Sequence, residues 1–268
     1  MPSKKQNPRP TAADVARRTV ILKQVIAWSM VAPTRDVLRE IIAQWGGSEN
    51  DDFEQRCETM RDQFWQGLRE TGLWEYMSTS EKKFSESTII TMTEQQHIDA
   101  SWRLESVHVM LWALGMIPQL LDFDTEASPE LLELIPSDDP TTFIESAQLR
   151  PPEDIDRARE IAEFWHWRSR TRELMERGAT FPDDPQLRAA GLCSFDDVVR
   201  LAAVNGAQAG LISSCIEDDF PAKGKAYRNL TDAEWNEVAS IAAERHFALN
   251  WLCGYAPGNN WDDTPTDT

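Results

Sequence analysis

The sequence predicts an all-α protein, a single irregular helical bundle around one buried central helix at about residues 93–115, with little or no strand. Three observations carry that expectation. Apolar residues recur at helical spacing through most of the 268 residues. Two segments open with capping boxes, Thr93 with Gln96 and Thr231 with Glu234. From Val107 to Leu114 every residue except His108 is apolar, and a helix that is apolar all round is a buried one.

The elements follow in order. Thr11 caps a first helix whose Val15, Val20, Ile21, Val25 and Ile26 sit at helical spacing and which ends before Pro33. A second helix, from about Pro33 to Trp45, carries Val37, Leu38, Ile41 and Ile42 on one stripe and stops at Gly46-Gly47. Asn50 caps a third, with Asp51, Asp52 and Glu54 at the positive end of its dipole. Phe53, Cys57, Met60, Phe64 and Leu68 line its inner face. The stretch from Ser87 to Met92 reads as a short strand or an extended connection. The central helix then runs to Gly115. Residues 117–150 read as short helices broken by Pro118, Pro129, Pro136 and Pro140.

A long helix spans about 153–177 and stops at Gly178. Another runs from about Ser194 to Ile212, where Gly206 and Gly210 allow close helix contact. Residues 217–229 form a loop, and the last helix covers about 231–253 with Gly254 at its end. The domain organisation expected is a disordered lead over 1–10, one helical domain over 11–257, and an acidic tail over 258–268. A lone Trp in a polar tail gains by packing, so Trp261 docks the tail on the body.

Composition limits the functions open to the chain. Apolar content of 41% with eleven Trp describes a packed globule. No stretch reaches the eighteen or so uncharged apolar residues a membrane span requires, and the charged N-terminus has no apolar run behind it to make a secretory signal. Cys57, Cys193, Cys215 and Cys253 are scattered, without CxxC or close Cys/His spacing, which argues against a disulfide framework and a zinc knuckle. A cytoplasmic protein with reduced thiols follows. The net charge of -18 opposes a nucleic-acid surface. Between Leu104 and Leu149 nine acidic residues meet no Lys or Arg, which makes segment 104–149 a candidate docking face for a basic protein.

Three helices share a vocabulary. The central one has Trp102-Arg103 and Glu105, the long one Phe164-Trp-His-Trp-Arg-Ser-Arg-Thr-Arg-Glu173, and the last Glu244-Arg-His-Phe-Ala-Leu-Asn-Trp251. Arg pairs bidentately with carboxylates and stacks on indole, so Arg103, Arg168 or Arg170, and Arg245 are expected to meet Glu105 and Glu244 in one aromatic frame. Ser101-Trp-Arg-Leu-Glu with Leu111-Trp-Ala-Leu-Gly115, His166-Trp167, Glu244-Arg-His with Ala248-Leu-Asn-Trp251, and Trp261-Asp-Asp with Thr266-Asp-Thr268 together resemble the bacterial family called domain of unknown function 4272. The likeness runs over most of the chain from about residue 11, with Thr180 to Asn229 resembling an insertion. It implies a helical bacterial protein and supplies no activity.

Two kinds of function remain. In the first, Arg103, Glu105, His166, Glu244, Arg245, His246 and Asn250 form a closed network that sets helix register, and the protein has a structural or partner-binding role. Cutting Glu105 to Ala would then cost about 3–5 kcal/mol. In the second, the same cluster is an enzyme or ligand site. Glu105, His166, Glu244 and His246 are its acid–base set, and Arg103, Arg170, Arg245 and Asn250 bind the ligand within a frame of Trp102, Trp167 and Trp251. No nucleophile motif or glycine-rich phosphate loop accompanies it. A metal variant rests on Glu94/His97, Glu105/His108 and Glu163/His166, because i and i+3 share a helix face and such pairs occur in di-metal bundles. Of these, Glu105, His108, Glu163 and His166 are the candidate ligands. No cofactor is called for.

Overall fold

The computed structural model describes residues 7–31, 36–38, 40 and 51–266, with the side chains at 51–53 left aside. Most of the helix expected over 33–45 lies outside these residues, as do Gly46-Gly47 and the Asn50 cap. Residues 36–38 and 40 are helical, and Leu38 is buried. The chain divides into two compact units, one of residues 1–120, 127–151 and 251–265, the other of residues 121–126, 152–250 and 266–268.

In the first unit, α1 (Ala12–Val31) packs chiefly against α4 (Glu94–Ala113), with α2 (Asp51–Glu70), α3 (Thr79–Ser85) and α5 (Pro140–Glu145) as further helices. Both Thr93/Gln96 capping-box bonds are made, and every residue from Leu104 to Ala113 is buried. Gly115 closes α4 at φ 73°, with Met116 N–H donating to the Leu111 carbonyl at 2.9 Å. The cation that finishes this helix comes from far along the chain. Arg150 Nε donates to the Trp112 carbonyl at 2.7 Å and Nη2 to that of Ile117 at 2.9 Å, at the negative end of the helix dipole.

Trp28, Phe64, Trp65 and Trp74 form a linked aromatic cluster with centroid spacings of 4.7 to 6.4 Å. The stretch read as strand or extended connection, Ser87 to Met92, follows the end of α3 and holds a turn at 89–91. Ser78 and Glu81 form a full capping box that starts α3, and Thr91 Oγ1 accepts from Thr88 N at 2.8 Å to hold the turn. Of the lead expected to be disordered, Asn7 and Pro10 are held against the body. Asn7 N donates to the Gly254 carbonyl at 3.1 Å, Asn7 Nδ2 donates to that of Ala256 at 3.0 Å, and Pro10 is buried. Trp261 is 2% exposed, and Asp262 accepts from Ser80 N and Oγ at the start of α3.

The second unit holds α6 (Pro152–Glu176), α7 (Pro185–Ala189), α8 (Phe195–Gln208), an antiparallel hairpin of two-residue strands and α9 (Asp232–Leu252), whose last two residues are counted with the first unit. The hairpin pairs β1 (Pro221–Ala222) with β2 (Lys225–Ala226), inside the segment expected to be loop. All-α is the fold class. At Gly206 a Cβ would sit 2.4 Å from the Phe164 ring, so α8 reaches α6 only with hydrogen at that position. Gly210 acts differently: it takes φ 67° just past the end of α8.

Candidate functional site

Helix α6 sets Arg159, Glu163 and His166 at helical spacing, and α9 does the same for His246 and Asn250. Arg159 Nε donates to Asn250 Oδ1 at 2.7 Å, Asn250 Nδ2 lies 2.9 Å from His246 Nε2, and His246 Nδ1 lies 2.9 Å from His166 Nδ1. Guanidinium only donates, and this settles every proton in the series. Asn250 Oδ1 must accept, so its Nδ2 donates to His246 Nε2. His246 then carries its proton on Nδ1 and donates it to His166 Nδ1, which leaves the His166 proton on Nε2.

His166 is 7% exposed and His246 not at all. Burial, then the Arg170 charge, lowers His166 to about 4, against a weaker opposing pull from Glu173. Burial, then His166 and Arg159, lowers His246 to about 3. Both rings are therefore neutral at pH 7. Two imidazoles whose Nδ1 atoms share one hydrogen bond have committed those atoms to each other, and Glu163 is taken up by Arg159 at 3.2 Å. Among the described residues no group of three or more His, Cys, Asp or Glu is placed to hold a metal ion.

A second buried cluster lies in the same unit. Arg168 Nε and Nη2 donate to the two oxygens of Asp219 at 2.7 Å each, with side chains 3% and 0% exposed. Phe220 N and Arg228 N donate to the same carboxylate at 2.8 and 3.0 Å. Burial alone would raise the Asp219 pKa; the Arg168 guanidinium and the two backbone N–H groups outweigh it and hold the carboxyl below its usual range. Arg168 also lies over the Tyr227 ring at 4.5 Å, and the Tyr227 hydroxyl meets Ser169 Oγ at 2.7 Å. Burial pushes that phenol up to about 12. The turn that delivers Asp219 has Glu217 and Asp218 at φ 50° and 58°, a left-handed pair that the Ile216–Asp219 bridge closes.

Arg245, 0% exposed, donates to the Leu121, Asp122 and Thr125 carbonyls at 2.6, 3.1 and 2.8 Å and lies 5.2 Å from the Phe123 ring. Those carbonyls belong to a loop with no helical ladder to satisfy them. In the first unit Glu105, 2% exposed, accepts from Ala127 N at 2.7 Å.

The family described as Domain of unknown function (DUF4272) matches residues 1–189. The chain belongs to the DUF4272 family. No curated protein and no solved structure matches it. The matched range of this DUF4272 chain includes Trp102-Arg-Leu-Glu105 and His166-Trp167, while Glu244-Arg-His246 and the Trp261 segment lie beyond it.

Within the DUF4272 chain, the residues expected to form one network are allotted to both units. Trp102, Arg103, Glu105, His108 and Trp251 belong to the first; His166, Trp167, Arg170, Glu244, Arg245, His246 and Asn250 belong to the second. His166, His246 and Asn250 are brought together directly. Arg170 stays at the surface, paired with Glu173, and the neighbouring Arg168 is the buried one. Trp102, Arg103, Trp167 and Glu244 are half-buried, while His108 is buried within α4. Trp251 is buried and donates from Nε1 to the Asn259 carbonyl at 3.0 Å.

Sequence reasoning missed Arg159, Asp219 and Tyr227. Arg159 had a signal, since it lies one and two turns before Glu163 and His166. Asp219 and Tyr227 sit in a stretch without period and had none.

Proposed function

We propose that this DUF4272 chain is a partner-binding protein of the bacterial cytoplasm that presents an acidic face to a basic protein. The observation that carries the reading is the disposition of the Lys/Arg-free segment. Within residues 127–149 of the first unit, Glu130, Glu133, Asp138, Asp139 and Glu145 are exposed, with Leu134 42% exposed among them. Complementary charge of this kind speeds encounter and makes association salt-dependent. The enzyme reading needs an acid–base group open to substrate, whereas His166 and His246 are buried and bonded to each other. Among the described residues no helix is long and apolar enough to cross a membrane, and the four cysteines are free, which supports a reducing compartment.

The test compares the wild type with a variant carrying Glu130→Gln, Glu133→Gln, Asp138→Asn and Glu145→Gln. These positions are exposed, so the melting temperature should hold. A basic protein captured by the wild type, then purified and titrated, should bind the variant at least about tenfold more weakly and lose affinity as salt rises. A partner that binds both forms equally, or one that is not basic, overturns the reading.

A further inference from the structure

From the end of α6 through α7 into α8, every residue of the second unit's segment 172–198 is exposed or half-buried. The segment nonetheless carries Leu174, Met175, Phe181, Leu187, Leu192 and Phe195. Leu174 is 41% exposed and Met175 37%, and the Phe181 and Phe195 rings meet edge to face at 5.3 Å.

Helix α8 continues this surface. Its Val199, Ala203 and Gly206 are buried, with Gly206 set against the Phe164 ring of α6. The opposite side of the helix carries Asp197, Leu201, Val204 and Gln208, spaced four, three and four residues apart. Leu201 is 47% exposed and Val204 38%, and i and i+3 are neighbours on a helix surface. A single exposed leucine is ordinary. An apolar stripe that adjoins a whole segment without a buried residue marks an interaction surface.

Charge selects the partner. The chain carries a net -18, yet between Arg170 and Arg200 five Arg stand against six Asp or Glu. The Arg170, Arg177, Arg188 and Arg200 side chains are 48 to 70% exposed, each paired with an acid of the same stretch. This surface is therefore of mixed sign on a strongly negative protein. Two copies meeting through the acidic segment 104–149 would repel, whereas here each sign on one copy finds its opposite on the other. A wholly basic or wholly acidic partner would match half of it.

The α8 stripe is also complementary to itself. Turned end for end against a copy, it sets Leu201 opposite Val204 and the Asp197 carboxylate opposite the Gln208 amide, which donates to it. The same turn opposes the two helix dipoles. A stable interface uses about 20–30 residues a side, more than one helix face supplies and within the length of α8 with its adjoining segment.

We propose that a second copy of this chain occupies the surface, forming a two-fold dimer in which the two α8 helices lie antiparallel and residues 172–198 flank them.

The test is sedimentation equilibrium of the full chain from about 1 to about 100 µM. The wild type should follow a monomer–dimer equilibrium across that range. Leu201→Glu with Val204→Glu puts four carboxylates into one contact and should weaken association at least about a hundredfold. Both positions are exposed and Glu suits a helix, so the circular dichroism should hold. Leu201→Gln alone, a milder change, should weaken association about tenfold. Leu134→Glu, on the first unit's acidic segment, should leave it unaltered. A wild type that stays monomeric throughout, a dimer that survives both α8 variants, or one that Leu134→Glu disrupts instead overturns the proposal.

Discussion

His166 and His246 show how one donor-only group sets the protons of a whole series. Because Arg159 cannot accept, the amide of Asn250 and both imidazoles have one consistent arrangement, and it needs both rings neutral. Protonating His166 on Nδ1 would place a donor against the His246 donor. This makes stability pH-dependent with a definite sign. The folded-state pKa values, about 4 and about 3, lie below the ordinary 6.5, so the unfolded chain takes up protons that the folded one refuses. The contribution is complete above about pH 6.5 and is lost as pH falls from there toward about 4. For His166 alone it is on the order of 3 kcal/mol. His166→Gln keeps an acceptor for His246 and cannot titrate. Urea unfolding of both forms at pH about 7.5, 6 and 5 should show the wild-type advantage shrinking toward acid. A gap that stays constant across that range would sink the assignment.

At the scale of elements, caps and glycines set where helices start and how closely they approach. The Ser78–Glu81 box makes α3 out of residues whose apolar pattern gives no period, and Arg150 closes α4 from outside it. Gly206 is the sharpest case. The Phe164 ring that occupies its missing Cβ position is itself held, stacked on Trp167 at 6.0 Å and tilted on Phe220 at 4.5 Å, so it cannot swing away cheaply. Gly206→Ala should improve intrinsic helix propensity yet destabilise the protein by about 1–3 kcal/mol, the usual cost of overpacking. Gly67, where an added Cβ meets nothing within 4 Å, provides the control: Gly67→Ala should leave stability unchanged or raise it. Equal effects from the two substitutions would show that α8 and α6 tolerate more separation than the ring contact implies.

Across the whole molecule, the chain changes unit after Leu120, Glu126, Pro151, Asn250 and Pro265, and α9 makes one of those crossings without a break. We propose that the two units unfold together as a single domain. Scanning calorimetry should give one transition whose calorimetric and van't Hoff enthalpies agree. Two resolved transitions would instead make each unit a domain in its own right.

Periodicity, capping boxes and the glycine stops of α4, α6 and α9 were readable in the chain because each depends on residues within about four positions of one another. For the same reason the all-α class and the special character of the Trp/Arg/His helices were legible, as was the family likeness. Which polar groups meet was not. Arg168 and Asp219 are 51 positions apart and His166 and His246 are 80, and their pairing follows from how loops deliver one helix to another. Arg168 rather than Arg170 is buried because two residues turn a helix face by about 200°, and only the packed neighbour decides which of the two sides faces inward. The sequence determined the helices and the chemistry each carries; the tertiary structure alone decided which charges were spent inside and which stayed at the surface, because that depends on neighbours far along the chain.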